Sequence, residues 1–113
     1  MEMLDKNLSN ALFLDREWQK FELELEHALI GMGLSEIETF SFISPKYYDK
    51  ICRPADDPLR RSVVIRNPLG EDTSCMRTTT LPSMLEILTR NYNYRNKSAK
   101  LYELGRVYFK RAD

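Results

Sequence analysis

The side chains that could carry chemistry in this sequence are few, and their spacing excludes more than it offers. A single histidine, His27, rules out any mechanism that needs two imidazoles, and no Ser or Cys can join it in a triad unless it faces inward. The two cysteines, Cys52 and Cys75, make no disulfide framework and point to a reducing compartment. There is no GxGxxG, GxxxxGK[ST], CxxC or HExxH, so dinucleotide-binding, P-loop, zinc-ribbon and metalloprotease chemistry have no motif to rest on.

Three stretches remain. In Asn67-Pro68-Leu69-Gly70-Glu71, followed by Met76-Arg77-Thr78-Thr79-Thr80-Leu81-Pro82, a turn shaped by Asn67, Pro68 and Gly70 runs into a lone arginine and a hydroxyl run. Arg77 there fits either a buried guanidinium tying the loop to carbonyls or an anion ligand. Arg90-Asn91-Tyr92-Asn93-Tyr94-Arg95-Asn96-Lys97 alternates cations with rings and amides. That mixture suits single-stranded RNA, with Arg90, Tyr94, Arg95 and Lys97 as contacts, and equally suits a helix end whose cations offset the dipole while Tyr92 sits in the core. In Leu101-Tyr102-Glu103-Leu104-Gly105-Arg106-Val107-Tyr108-Phe109, period-2 alternation places Glu103 beside apolar neighbours. A carboxylate so placed must be paired, and Arg77 is a candidate partner. Gly105 marks a bulge or a close backbone approach.

The elements that must position these residues follow from periodicity. Trp18, Phe21, Leu25, Ala28, Leu29 and Met32 share one helical face, so a helix is expected over 15–32, capped by Asp15, favoured by Glu17 in its first turn and stopped by Gly33. His27 lies off that face, toward solvent. Residues 1–14 read as a partly ordered lead-in and 15–113 as the domain proper. Glu36 to Ile43 reads as a strand, Pro45 to Ile51 as a short helix capped by Ser44, and Ser62 to Arg66 as a second strand. Pro82 to Tyr94 reads as a second long helix, and Lys100 to Lys110 as a third strand. Phe40, Phe42, Leu85, Leu88 and Val107 are the expected core.

The chain has 113 residues, of which 42% are hydrophobic and 30% charged, and twelve aromatic side chains, enough for one small folded domain. No apolar run is long enough to span a bilayer, and no signal-peptide h-region is present. The net charge of zero hides a division: residues 1–57 carry −6 and residues 58–113 carry +6. Three strands and two long helices make a thin core with an apolar sheet edge, which suggests a piece of a larger sheet.

Taken in order, three blocks resemble the β subunit of bacterial phenylalanyl-tRNA synthetase at the start of its catalytic-like module. They are Gly33-Leu34-Ser35-Glu36-Ile37-Glu38-Thr39-Phe40-Ser41-Phe42-Ile43-Ser44-Pro45, the Asn67–Glu71 and Met76–Pro82 pair, and Tyr102-Glu103-Leu104-Gly105-Arg106-Val107-Tyr108. The resemblance implies a truncated α+β fold of the class II aminoacyl-tRNA synthetase type, an antiparallel sheet with flanking helices. It also implies a cytoplasmic heterotetramer of two α and two β subunits that ligates phenylalanine to its tRNA with ATP and magnesium.

In that family the α subunit performs the chemistry, and the β module packs against it as a scaffold. This segment would then hold no catalytic, cofactor or metal residue of its own, and its partners would be the α subunit, the rest of β and, through the holoenzyme, tRNA. Asn67, Pro68, Gly70, Arg77, Glu103, Gly105 and Arg106 become structural or interface residues. The position of the class's ATP-binding motif 2 arginine corresponds to Phe109, whose ring cannot neutralise phosphate. A one-residue slip toward Lys110 or Arg111 would put the cation on the opposite strand face. The rival readings are RNA binding through Arg90–Lys97 and a residual nucleotide site using Arg77, Arg106 and Lys110.

Overall fold

The computed structural model describes the backbone of residues 2–112 and the side chains of residues 12–112. The chain forms two compact units, one of Met1–Glu36 with Lys100–Tyr102, the other of Ile37–Ala99 with Glu103–Asp113.

The first unit is a helix joined to a two-residue ladder. Helix α1 spans Glu2–Gly31, so it starts well before the expected Asp15. Asp15 and Glu17 therefore lie inside the helix rather than at its positive end. The Asp15 carboxylate accepts from Gln19 Nε2, one turn on. Strand β1 (Ser35–Glu36) pairs with β4 (Leu101–Tyr102) in parallel, Ser35 opposite Leu101 and Glu36 opposite Tyr102. A parallel pair needs a long crossover, and here residues 37–100 lie between the two strands in sequence. The expected all-antiparallel arrangement therefore fails at this ladder. Tyr102 is buried, and its hydroxyl has no hydrogen-bond partner among the described residues.

The second unit centres on β2 (Phe42–Ile43), antiparallel to β3 (Cys75–Met76), with Val64 bridged to Cys75 on the far side. The strand expected over 36–43 is thus divided between two ladders. The expected 62–66 strand shrinks to that bridge and the bonds Ile65 N–H to Ser74 O and Met76 N–H to Val63 O. Helix α2 (Tyr47–Lys50) is shorter than the expected Pro45–Ile51; its N-cap is Lys46 rather than Ser44, and Ser44 Oγ instead accepts from Lys46 N in the turn before it. Helix α3 spans Leu81–Asn93, close to the expected limits.

The core is small and differs from the expected one. Ile43, Tyr48 and Cys75 are buried, with Tyr47 and Leu59 packed against them. The Tyr48 hydroxyl meets Ser62 Oγ at 2.5 Å and Thr78 Oγ1 at 2.9 Å, so a buried polar trio sits inside the apolar cluster. Phe40 is 82% exposed, and Phe42, Leu85, Leu88, Val107 and Tyr92 are exposed as well. Both ladders are only two residues long.

All three helices stop in the same way. Gly33 (φ 83°), Cys52 (φ 56°) and Arg95 (φ 69°) are left-handed, and each donates its N–H to the carbonyl three residues back: Ile30, Asp49 and Tyr92. The next residue, Leu34, Arg53 or Asn96, donates five back, to Leu29, Tyr48 or Asn91. These paired bonds satisfy the last helical carbonyls. Only the glycine was an expected stop; Cys52 and Arg95 adopt a conformation that costs an L-residue about 1–2 kcal/mol.

Candidate functional site

The most completely bonded polar group in the second unit is a clamp around Arg77. Its side chain is 2% exposed and that of Glu103 is 4% exposed. Arg77 follows β3, and its N–H donates to Ser41 O while its carbonyl accepts from Tyr108 N–H, which places the guanidinium between two neighbouring segments. Nη1 donates to Thr39 Oγ1 at 2.7 Å and to Glu103 Oε1 at 3.3 Å, and Nε donates to Arg106 O at 2.8 Å.

Thr39 completes the arrangement. Its N–H donates to Glu103 Oε1 at 2.8 Å, and its hydroxyl lies 2.9 and 3.0 Å from the two carboxylate oxygens. That hydroxyl accepts from Arg77 and has one proton for the carboxylate. The break in the 36–43 strand now has a cause, because the Thr39 N–H goes to a side chain rather than to a ladder. Gly105 lies against the guanidinium: a Cβ there would be 2.5 Å from Arg77 Nη2. Of the alternatives left open for Arg77, this geometry is that of a buried tie between segments, with Nε and Nη1 spent on protein groups.

The remaining expected residues do not join this clamp. The side chain of Arg106 is exposed, and only its carbonyl reaches Arg77. Asn67, Pro68 and Gly70 are exposed in the turn before the 3-10 segment Glu71–Thr73. Gly70 is extended (φ −175°) and a Cβ would meet nothing there, so the turn does not require glycine at that position. Arg77 is buried in the clamp, the side chain of Arg106 is exposed, and Lys110 lines a groove with Phe109 and Arg111. Thr39 was missed in the sequence; the demand that Glu103 be paired was the one signal pointing toward a partner.

Grooves lie elsewhere in this unit, two of them at residues singled out in the sequence. One, of about 430 Å³, is lined by Pro58, Arg61, Phe109, Lys110, Arg111 and Ala112, with Phe109 63% exposed. Residues 103–112 make no ladder, so strand alternation does not apply to them. Phe109, Lys110 and Arg111 therefore share a groove rather than taking opposite faces, and the expectation about a one-residue slip is corrected. The other groove, of about 630 Å³, includes Lys50, Leu85, Arg90 and Tyr94. Arg90, Tyr94, Arg95 and Lys97 are all exposed at and beyond the end of α3.

The chain is thus small and α+β, with a buried Arg–Glu–Thr tie and many large apolar side chains exposed. Residues 13–113 match the family described as the phenylalanyl tRNA synthetase beta chain CLM domain, and the chain belongs to that family. It is 52% identical over 95 residues to the phenylalanine–tRNA ligase beta subunit of Clostridium tetani, covering 84% of this chain and 12% of that protein. It is 60% identical over 80 residues to the corresponding subunit of Clostridium acetobutylicum, covering 71% and 10%. For Geobacter metallireducens the figures are 46% over 99 residues, 86% and 12%. The chain thus spans only about a tenth of the length of these relatives.

Proposed function

We propose that this chain is a non-catalytic, interface-forming segment of the phenylalanyl-tRNA synthetase β subunit, within a module of the class II synthetase type. The parent enzyme is a cytoplasmic α2β2 heterotetramer that ligates phenylalanine to its tRNA with ATP and magnesium, and its α subunit carries the reaction. One observation supports the scaffold role above others: a densely bonded polar cluster is buried while many of the large apolar side chains are exposed. Arg77, Thr39 and Glu103 bond one another and the backbone, whereas Trp18 (60% exposed), Phe21, Met32, Leu81, Leu85 and Leu88 are uncovered. Uncovered apolar surface on this scale is what interfaces use.

The test uses the full-length β chain mixed with the α subunit on a size-exclusion column. Wild-type β co-elutes with α, and Trp18→Asp/Phe21→Asp shifts β out of the complex. Co-elution indifferent to that pair of substitutions overturns the reading.

A second reading keeps Arg90, Tyr94, Arg95 and Lys97 as RNA contacts, favoured by the shared groove of Arg90, Tyr94 and Lys50. It requires tRNA affinity that falls steeply with salt and again on Tyr94→Ala/Arg95→Ala. Unchanged affinity in that variant removes it.

A further inference from the structure

The groove that contains Phe109 hangs on two adjacent residues of the second unit, Arg77 and Thr78. One wall is the turn Pro58–Arg61, where the Thr78 hydroxyl donates to Leu59 O. The next residue, Ser62, shares the buried hydroxyl trio with Tyr48 and Thr78. The other wall is the segment 109–112, and two bonds to Arg77 immediately precede it. Arg77 Nε donates to Arg106 O at 2.8 Å, and Tyr108 N–H donates to Arg77 O at 2.9 Å. Buried polar ties therefore fix the base of both walls, and the fold sets their spacing without help from a ligand.

The lining is cationic and apolar, with nothing acidic. Arg61 comes from the first wall and Lys110 and Arg111 from the second, and all three are exposed. Among the described residues none of the three forms an ion pair, and no carboxylate lines the groove. Asp57, just before the first wall, is engaged by the Leu59 N–H and by Arg53. With these cations stands the Phe109 ring, 63% exposed. Its faces are free among the described residues: the stacked ring pair is Trp18 with Phe21, and the cation over a ring is Lys50 on Tyr47.

This composition discriminates among anions. Inorganic phosphate or an acidic peptide would engage the cations and leave the ring in water. A nucleoside triphosphate would engage both, but it travels with magnesium, and the lining offers no carboxylate to share that ion. No Asn, Gln, Ser or Thr side chain lines the groove to read the edge of a base. A ring with a free face beside unpaired cations is the combination that holds single-stranded nucleic acid regardless of sequence, bases on the ring and phosphates on the cations. We propose that the Phe109 groove, of about 430 Å³, holds one nucleotide of a single-stranded RNA segment, its base stacked on Phe109 and its flanking phosphates on Arg61, Lys110 and Arg111. The choice of RNA rests on the parent enzyme proposed above; the groove is separate from Arg90, Tyr94, Arg95 and Lys97.

The probe is a fluorescein-labelled oligouridylate about eight nucleotides long, titrated into the full-length β chain in complex with α and followed by anisotropy. A second oligomer carries 4-thiouridine, and its photocrosslink is expected on residues 109–111. Phe109→Leu keeps an apolar side chain and removes the ring, and should weaken binding at least about fivefold. Lys110→Gln/Arg111→Gln should flatten the plot of log affinity against log salt by about 1.4, two phosphate contacts at ~0.7 each.

The crosslink is read on the unaltered protein, so it decides even if a variant folds poorly. No crosslink within 109–111, or affinity indifferent to both variants, overturns the inference. So does loss of that crosslink to polyglutamate as readily as to unlabelled oligouridylate, which marks an acidic-peptide site, or to an equal concentration of magnesium-ATP, which marks a mononucleotide pocket. Co-elution of β with α is scored separately, so this inference and the interface reading fail by different measurements.

Discussion

Gly105 and Arg77 are packed so closely that a single methyl group on the glycine would lie 2.5 Å from the arginine's Nη2. The guanidinium cannot swing aside cheaply, because Nε and Nη1 are already bonded to Arg106 O, Thr39 Oγ1 and Glu103. Gly105→Ala is therefore expected to destabilise the chain by about 1–3 kcal/mol, the usual cost of overpacking. The urea midpoint measures this; an unchanged midpoint means that the clamp is looser than its geometry indicates.

Removing one member of the buried pair leaves the other charge without compensation. Arg77→Met or Glu103→Gln should cost roughly 3–5 kcal/mol each. The double substitution should cost clearly less than their sum, because it strands no lone charge. A double-mutant cycle read by denaturant unfolding gives the coupling, and strict additivity would show that the two side chains do not act as a pair.

Inside the core, Tyr48→Phe removes the oxygen shared by Ser62 and Thr78 and leaves the Thr78 N–H without the acceptor it uses at 3.3 Å. A loss of about 1–3 kcal/mol follows from a stranded buried donor. A loss near zero would mean that water replaces the hydroxyl.

At the surface, Tyr47 donates to Glu86 Oε2 at 2.6 Å, and that hydrogen bond, with partial burial, pushes its pKa up to about 12 from a usual value near 10. The folded state favours the protonated phenol. Its contribution to stability is complete below about pH 10 and disappears as pH rises toward 12. Phenolate absorbance should show one tyrosine ionising late, and Glu86→Gln should move it to lower pH. A late tyrosine that ignores Glu86→Gln would contradict the assignment.

The two thiols should separate cleanly. Burial pushes the Cys75 thiol's pKa up, and its Sγ–H points at Ile43 O, whereas Cys52 is exposed. A thiol reagent should label Cys52 in the native chain and Cys75 only on unfolding. Cys52→Gly should stabilise by about 0.5–1 kcal/mol, since glycine accepts the left-handed stop of α2 without strain. A loss of stability would show that the cysteine side chain contributes more than its backbone costs.

Much of this architecture was legible along the chain. The limits of α3, the glycine stop of α1, the exposure of His27, the need to pair Glu103 and the tight approach at Gly105 all follow from local rules: helical periodicity, left-handed preference and the cost of a buried lone charge. The local rules failed where a partner distant in sequence decides. Thr39 left the ladder because a carboxylate 64 residues away took its N–H. The pairing of β1 with β4 in parallel depends on where the chain returns after residues 37–100. Cys52 and Arg95 turned left-handed because helix ends must satisfy their carbonyls, whichever residue stands there. Phe40, Phe42, Leu85 and Leu88 were apolar by type, and type fixes only what a side chain would gain by being covered. Whether anything covers it depends on contacts between segments far apart in the chain, and those only the folded structure reveals.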